Sequence, residues 1–181
     1  DPLEPCIVVA GSPNVGKSAL IGALSTGEPQ VASYPFTTKQ LHLGHFTHRR
    51  RVYQMVDTPG LLDRPMKERN QIEMQAIAAL EHLGDVLLFL IDRTDQSTTP
   101  VSEQERLLEE VRGLLSGREV LVVSTKSDLI EESNSQDDHR ISSITGDGLE
   151  DLRADLIEII DADGIEDPLT LPEHWPRQDE N

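Results

Sequence analysis

The sequence predicts an α/β fold: a mostly parallel sheet of six strands, helices on both faces and one antiparallel edge strand. Three observations carry this reading. Short apolar runs alternate with segments of helical period, the pattern of parallel strands joined by crossover helices. A glycine-rich turn joins the first apolar run directly to the first helical segment. The link between the runs at 41–48 and 51–57 is too short for a crossover, so that pair is antiparallel.

Strands are predicted at 6–10, 41–48, 51–57, 85–91, 119–124 and 139–142, and helices at 17–25, 68–83, 101–116 and 147–160. In the second helix Ile72, Ala76, Ala79, Leu80 and Leu83 recur at helical spacing. Leu107, Leu108, Val111, Leu114 and Leu115 do so in the third, and Leu149, Leu152, Leu156, Ile159 and Ile160 in the last. Such stripes are core faces. The segment 129–138 is polar and short, with little room for a helix. From Asp161 the chain is rich in acids and in prolines, at 168, 172 and 176, and is expected to be extended or disordered, with Trp175 its one feature able to dock. The expected organisation is one α/β domain over 1–160 and an acidic, Pro-rich tail over 161–181.

The 33 Asp and Glu against 16 Lys and Arg leave a net charge of −17. An acidic surplus with few lysines fits work in concentrated salt, where self-repulsion is screened. The longest apolar stretch, 86–91, falls far short of the roughly 20 residues that span a bilayer. The expectation is a soluble, cytoplasmic protein with neither membrane nor DNA as partner. Cys6 is alone and lies in the first strand, where a buried, inert thiol is expected. The chain begins at Asp1 rather than Met, so a piece of a longer protein is expected.

Residues 11–18, Gly-Ser-Pro-Asn-Val-Gly-Lys-Ser, fit G-x-x-x-x-G-K-[ST], the phosphate-binding loop of P-loop NTPases. A glycine-rich turn between strand and helix aims successive N–H groups at one point, and the helix N-terminus adds partial positive charge. The backbone of Asn14, Val15, Gly16, Lys17, Ser18 and Ala19 is thus assigned to the phosphates, Lys17 to the outer ones and the Ser18 hydroxyl to Mg²⁺.

Four further segments choose the nucleotide. Asp57-Thr-Pro-Gly60 follows an apolar strand; Asp57 is placed behind a water on Mg²⁺, and the Gly60 N–H at a γ-phosphate. Thr37 and Thr38 lie in a loop able to close over the metal, which makes Thr38 a second Mg²⁺ ligand. Thr125-Lys-Ser-Asp128 follows the fifth strand, and Ser142-Ser-Ile-Thr145 the last. All four sit at strand C-termini, where open α/β sheets bind ligands. An ionised Asp128 accepts the paired N1–H and amine of guanine, whereas adenine would face it with an acceptor. Lys126 lays its stem over the base, and the backbone around Ser142, Ser143 and Ile144 supplies a donor to guanine O6.

Together these motifs resemble the translation-factor-like GTPases, with a Ras-like G domain. Asn-Val-Gly-Lys-Ser at 14–18, Tyr-Pro-Phe-Thr-Thr-Lys at 34–39 and Asp-Thr-Pro-Gly-Leu-Leu-Asp-Arg-Pro at 57–65 resemble the Obg–Nog branch, and most of all the nucleolar GTP-binding (Nog) family and its archaeal relatives. The resemblance covers about 5–160 and implies a GTP/GDP switch in large-subunit assembly, with a ribosomal subunit or rRNA as partner. Members usually carry a helical segment before the G domain, which this sequence lacks. Two positions depart from the family pattern. Thr125 stands where Asn is common, and Thr cannot serve guanine N7 and the phosphate loop together, so modest affinity is expected. Asp92-Arg-Thr-Asp95 replaces the usual Asp-Pro-Ser-Glu.

Lys17, Thr38 and Gly60 form the expected catalytic set. The position after Gly60 is Leu61, which cannot orient water, so the missing help comes from K⁺, a partner's side chain or the mobile loops. Asn14 resembles the K⁺-ligating Asn of related GTPases; shaping the loop is its equal alternative. A non-hydrolysing guanine-nucleotide sensor is the rival reading, kept open by Leu61 and Thr125. The run His-Arg-Arg-Arg at 48–51 is either a contact for rRNA phosphates or a solvated hairpin tip.

Overall fold

The structure is a computed structural model, and it describes residues 4–33, 40–130 and 136–162. A seven-stranded sheet runs in the order β2-β3-β4-β1-β5-β6-β7. The strands are β1 (Cys6–Ala10), β2 (Gln30–Ser33), β3 (Gln40–His48), β4 (Arg51–Asp57), β5 (Val86–Ile91), β6 (Glu119–Ser124) and β7 (His139–Arg140). The helices are α1 (Lys17–Leu24), α2 (Gln71–Leu83), α3 (Val101–Leu114) and α4 (Leu149–Ala162).

Alternation along the central strands builds two cores. Ile7 and Val9 of β1 join Val86, Leu88 and Leu90 of β5 against Leu20, Ile21 and Leu24 of α1 and Leu152, Leu156 and Ile160 of α4. Cys6, Val8 and Ala10 join Leu87, Phe89 and Ile91 against Ala76, Ile77 and Leu80 of α2 and Leu107, Leu108 and Val111 of α3. Both faces of β1 and β5 are therefore covered, as a parallel sheet requires. Burial pushes the Cys6 thiol up to about 12, so it stays neutral.

The strand count is corrected from six to seven, and the antiparallel strand from the edge to one place inside it. β3 is antiparallel to both β2 and β4, and β2 is the edge. β2 reads Gln-Val-Ala-Ser with Val31 exposed, so it buries no apolar face that a hydrophobic pattern could reveal. Its backbone pairing with β3, Gln30↔Leu43 through Ser33↔Gln40, makes it a strand.

Several boundaries also move, and two of the shifts have a clear local cause. α2 begins at Gln71 rather than 68 because Asn70 caps it: the side-chain oxygen accepts from Glu73 N at 2.8 Å, and Nδ2 donates back to Glu73 Oε1 at 3.2 Å. A separate 3₁₀ turn, Met66–Glu68, precedes it. β7 ends at Arg140 because Ser142 N turns to the Asp147 carbonyl at 2.9 Å. The predicted hairpin is present, its two-residue turn formed by Arg49 and Arg50 at φ 47° and 67°. The strand just after the turn is tied to the end of α4, where Asp161 accepts from Arg51 Nη1 at 2.8 Å and Tyr53 Oη at 3.1 Å. α4 runs to Ala162, so Asp161 and Ala162, expected to open the tail over 161–181, are helical; the expectations for Thr37, Thr38, Trp175 and the rest of that tail fall outside the described residues.

Candidate functional site

β1 lies between β4 and β5: the chain leaves β1 for β2, β3 and β4 on one side, then crosses from β4 to β5 on the other. A crevice opens at the C-terminal end of β1 for that reason. The loop 11–16 fills its floor. Gly11 has φ 140°, and a Cβ there would stand 2.5 Å from the Leu90 carbonyl oxygen, so only glycine lets the loop leave the sheet. Gly16 caps α1 at φ 106°.

Lys17 folds back over its own loop, donating to the Gly11 carbonyl at 2.6 Å and the Ser12 carbonyl at 3.0 Å. Burial lowers its pKa; the charges of Asp57 and Asp63 oppose that. Asp57 ends β4 and is 2 % exposed. Burial raises its pKa against the pull of Lys17 and His42, and its Oδ1 has no hydrogen-bond partner among the described residues. Lys17, Ser18, Ala19, Asn14, Gly16 and Asp57 line one cleft of about 410 Å³, with His42 and Asp63 on its wall. Gly60, at φ 83°, donates its N–H to Asp63 Oδ2 at 2.8 Å. Leu61 is fully buried in the α2–α3 core.

The other end of the crevice is built by β6 and β7. Thr125 donates its hydroxyl to the Val15 carbonyl at 2.6 Å. Thr125 therefore keeps a tether to the phosphate loop. Lys126, at φ 56°, donates to the Asn14 carbonyl at 2.9 Å and to Asp92 Oδ2 at 2.6 Å. Asp128 Oδ1 accepts from the Ser142 hydroxyl at 2.8 Å, and Ser142 Oγ accepts from Thr145 N at 3.1 Å. Ser142 is fully buried, so its side chain orients the Asp128 carboxylate; Ser143 is half-buried and Ile144 is 86 % exposed beside it. Arg140 braces the turn from behind, donating to the carbonyls of Ser127 and Ile130.

Sequence reading missed three side chains that organise this site. Asp92 holds Lys126, accepts from Thr94 N and Oγ1 at 2.9 and 2.6 Å, and its carboxyl pKa is lowered: burial raises it, and the Lys126 and Thr94 contacts outweigh that. Its signal was position, directly after the wholly buried β5. Gln104, fully buried in α3, accepts from Asp92 N and donates to the Asp92 and Thr99 carbonyls, all at 2.8 Å. Asp63 is the third.

Known proteins resemble this chain in sequence and in fold. The profile of the 50S ribosome-binding GTPase family matches residues 6–126. The chain belongs to that family. An uncharacterised protein of Methanocaldococcus jannaschii is 45 % identical over 128 residues, 71 % of this chain and 35 % of that protein. Nucleolar GTP-binding protein 1 of Caenorhabditis elegans is 40 % identical over 134 residues, 74 % of this chain and 20 % of that protein. The chain thus spans a fifth to a third of the curated relatives it matches. A Plasmodium falciparum crystal structure assigned as nucleolar GTP-binding protein 1 superposes with TM-score 0.78 at 32 % identity, covering 90 % of this chain and 89 % of that one. The G domain of the Thermotoga maritima FeoB iron transporter shares the fold, at TM-score 0.69 and 23 % identity over 86 % of this chain and 98 % of that one. As a GTPase-family domain the chain is a guanine-nucleotide protein, and no helix among its described residues is long and apolar enough to cross a membrane.

Proposed function

We propose that this domain binds GTP with Mg²⁺ and hydrolyses it to GDP and phosphate, as a cytoplasmic switch in assembly of the large ribosomal subunit. The observation that carries the reading is the tie between its two ends: Thr125 and Lys126, from the base-reading segment, both hydrogen-bond the carbonyls of the phosphate loop. Base and phosphates are then held by one rigid unit.

In this reading the backbone of 14–19 and Lys17 hold the phosphates, Asp128 and Lys126 select guanine, and Ser143 and Ile144 present backbone toward O6. The residues fit Mg²⁺. Asp57, whose buried Oδ1 has no partner among the described residues, and Ser18 line the same cleft, and a site with few protein ligands suits an ion that keeps waters and phosphate oxygens. Bound there, Mg²⁺ would neutralise charge developing on the phosphates. Thr38 is assigned as its second hydroxyl ligand.

The buried Leu61 offers no polar atom to a water, so the domain works slowly alone. Asn14, exposed at the rim, is assigned to K⁺, and turnover is expected to be faster in K⁺ than in Na⁺. The same leucine supports a second reading, a guanine-nucleotide sensor without hydrolysis. Calorimetry with Mg²⁺ tests the binding: GDP and a slow GTP analogue release heat, and equal uptake of ATP would refute the base assignment. Single-turnover phosphate release then separates enzyme from sensor, and co-sedimentation with ribosomal subunits in GTP or GDP tests the partner.

A further inference from the structure

The Gly60 amide is already committed. It donates at 2.8 Å to Asp63 Oδ2, part of a carboxylate that is only 8 % exposed and stands on the wall of the nucleotide cleft near Lys17. In the reading above, this amide is the donor that a γ-phosphate needs. A carboxylate and a γ-phosphate oxygen carry the same sign and accept from the same N–H, so they cannot share it.

The displaced carboxylate would have somewhere to go. Asp63 Oδ1 lies 3.4 Å from Arg69 Nη2 and 3.5 Å from Arg64 Nε, both long contacts. The Arg69 side chain is 1 % exposed, its contacts to Glu73 Oε2 at 3.5 Å and the Arg64 carbonyl at 3.3 Å are long too, and its Nε has no partner among the described residues, so its charge is available for a closer pair with Asp63. Asp63 also lines a second cleft of about 330 Å³, where Arg64, Lys67 and Glu68 face Arg106 and Glu110 of α3. One carboxylate therefore stands between the phosphate end of the crevice and the segment 64–69.

We infer that Asp63 is an internal competitor of the γ-phosphate: it holds the Gly60 amide in the GDP complex, and GTP must drive it off toward Arg69. This deepens the nucleotide reading and rests on it. Asp63 is a specificity-determining residue here. It penalises GTP and leaves GDP, which has no γ-phosphate, untouched. Its movement would also tell residues 64–69 which nucleotide is bound.

The test measures dissociation constants of GDP and of the slow analogue GMPPNP, with Mg²⁺, for the 181-residue chain, Asp63→Asn and Asp63→Ala. GMPPNP should tighten at least tenfold in Asp63→Ala, which removes the acceptor, and by less in Asp63→Asn, whose amide oxygen still accepts from Gly60, while GDP changes less than about twofold in both. Equal shifts for both nucleotides, or an unchanged GMPPNP constant, overturn the inference and leave the nucleotide site standing. Absence of GDP binding by the unaltered chain overturns the site and the inference together. A measurement on the unaltered protein guards against misfolded variants: the ¹³C shift of the Asp63 carboxyl moves between the GDP and GMPPNP complexes, and a fixed shift refutes the exchange.

Discussion

Thr125 and Val15, 110 positions apart in sequence, are joined by a 2.6 Å hydrogen bond from hydroxyl to carbonyl. The bond is buried and locks the segment after β6 to the phosphate loop. Thr125→Ala should cost about 1 kcal/mol of stability and weaken GDP binding, because it leaves the Val15 carbonyl short of a donor. Thr125→Ser keeps the hydroxyl and should restore both. Thr125→Asn adds an amide within reach of guanine N7 and should tighten GDP about fivefold. That gain should vanish with 7-deaza-GDP; a gain of equal size there would place the new contact elsewhere.

Asp128 and Ser142 make a second pair, 2.8 Å apart. Asp128→Asn should turn preference from guanine toward xanthine nucleotides, since the new amide donates where the carboxylate accepted. Ser142→Ala should weaken GDP about tenfold by freeing the carboxylate, with no gain for xanthine. Competition binding with GDP, XDP and ADP reads both outcomes, and retained guanine preference in Asp128→Asn would remove Asp128 from the base site.

Asp57 carries a buried carboxyl at the end of β4. Burial raises its pKa, so the native state favours its protonated form. The sign follows: its stabilising share is complete below the ordinary carboxylate value of about 4 and is lost as pH rises through the elevated native one. Asp57→Asn should therefore raise Tm at neutral pH, by a margin that shrinks as pH falls toward 4, and abolish Mg²⁺-dependent GTP binding. Thermal scans across pH with the ligand-free protein check the first part, calorimetry the second.

Arg49 and Arg50 occupy left-handed backbone at the hairpin tip, where Asn-Gly is the favoured pair. Left-handed backbone costs a non-glycine residue about 1–2 kcal/mol. Replacing the pair by Asn-Gly should raise stability by about 1–2 kcal/mol in urea unfolding. If the arginines meet rRNA phosphates, the same change should also weaken ribosome association; a stabilised variant that still co-sediments would make the tip a plain turn.

Salt offers a final check on the net charge of −17. Repulsion among like charges is screened by electrolyte, so unfolding stability should climb steeply with KCl. A flat response would remove the reading of salt adaptation.

The major elements were legible because their residues bury apolar faces. β1 and β5 are wholly buried runs, and the stripes Leu107, Leu108 and Val111 or Leu152, Leu156 and Ile160 repeat at helical spacing. β2 left no such trace, since only hydrogen bonds to β3 define it. The start of α2 was misjudged because the capping exchange between Asn70 and Glu73 outweighs the apolar pattern around it. The phosphate loop and the segment 125–128 were legible because backbone geometry restricts which residues fit there, as Gly11 illustrates.

Chain order and residue type alone determined the alternating fold, the buried faces and the residues that converge on a nucleotide, since those follow from periodicity and local backbone geometry. Only the tertiary structure decided which donor meets which acceptor. That Asp92 grips Lys126, that Ser142 aims Asp128, and that Asp63 takes the Gly60 amide are matters of distances between groups brought together by the sheet. A hydrogen bond depends on tenths of an ångström and on direction, and no one-dimensional pattern carries either.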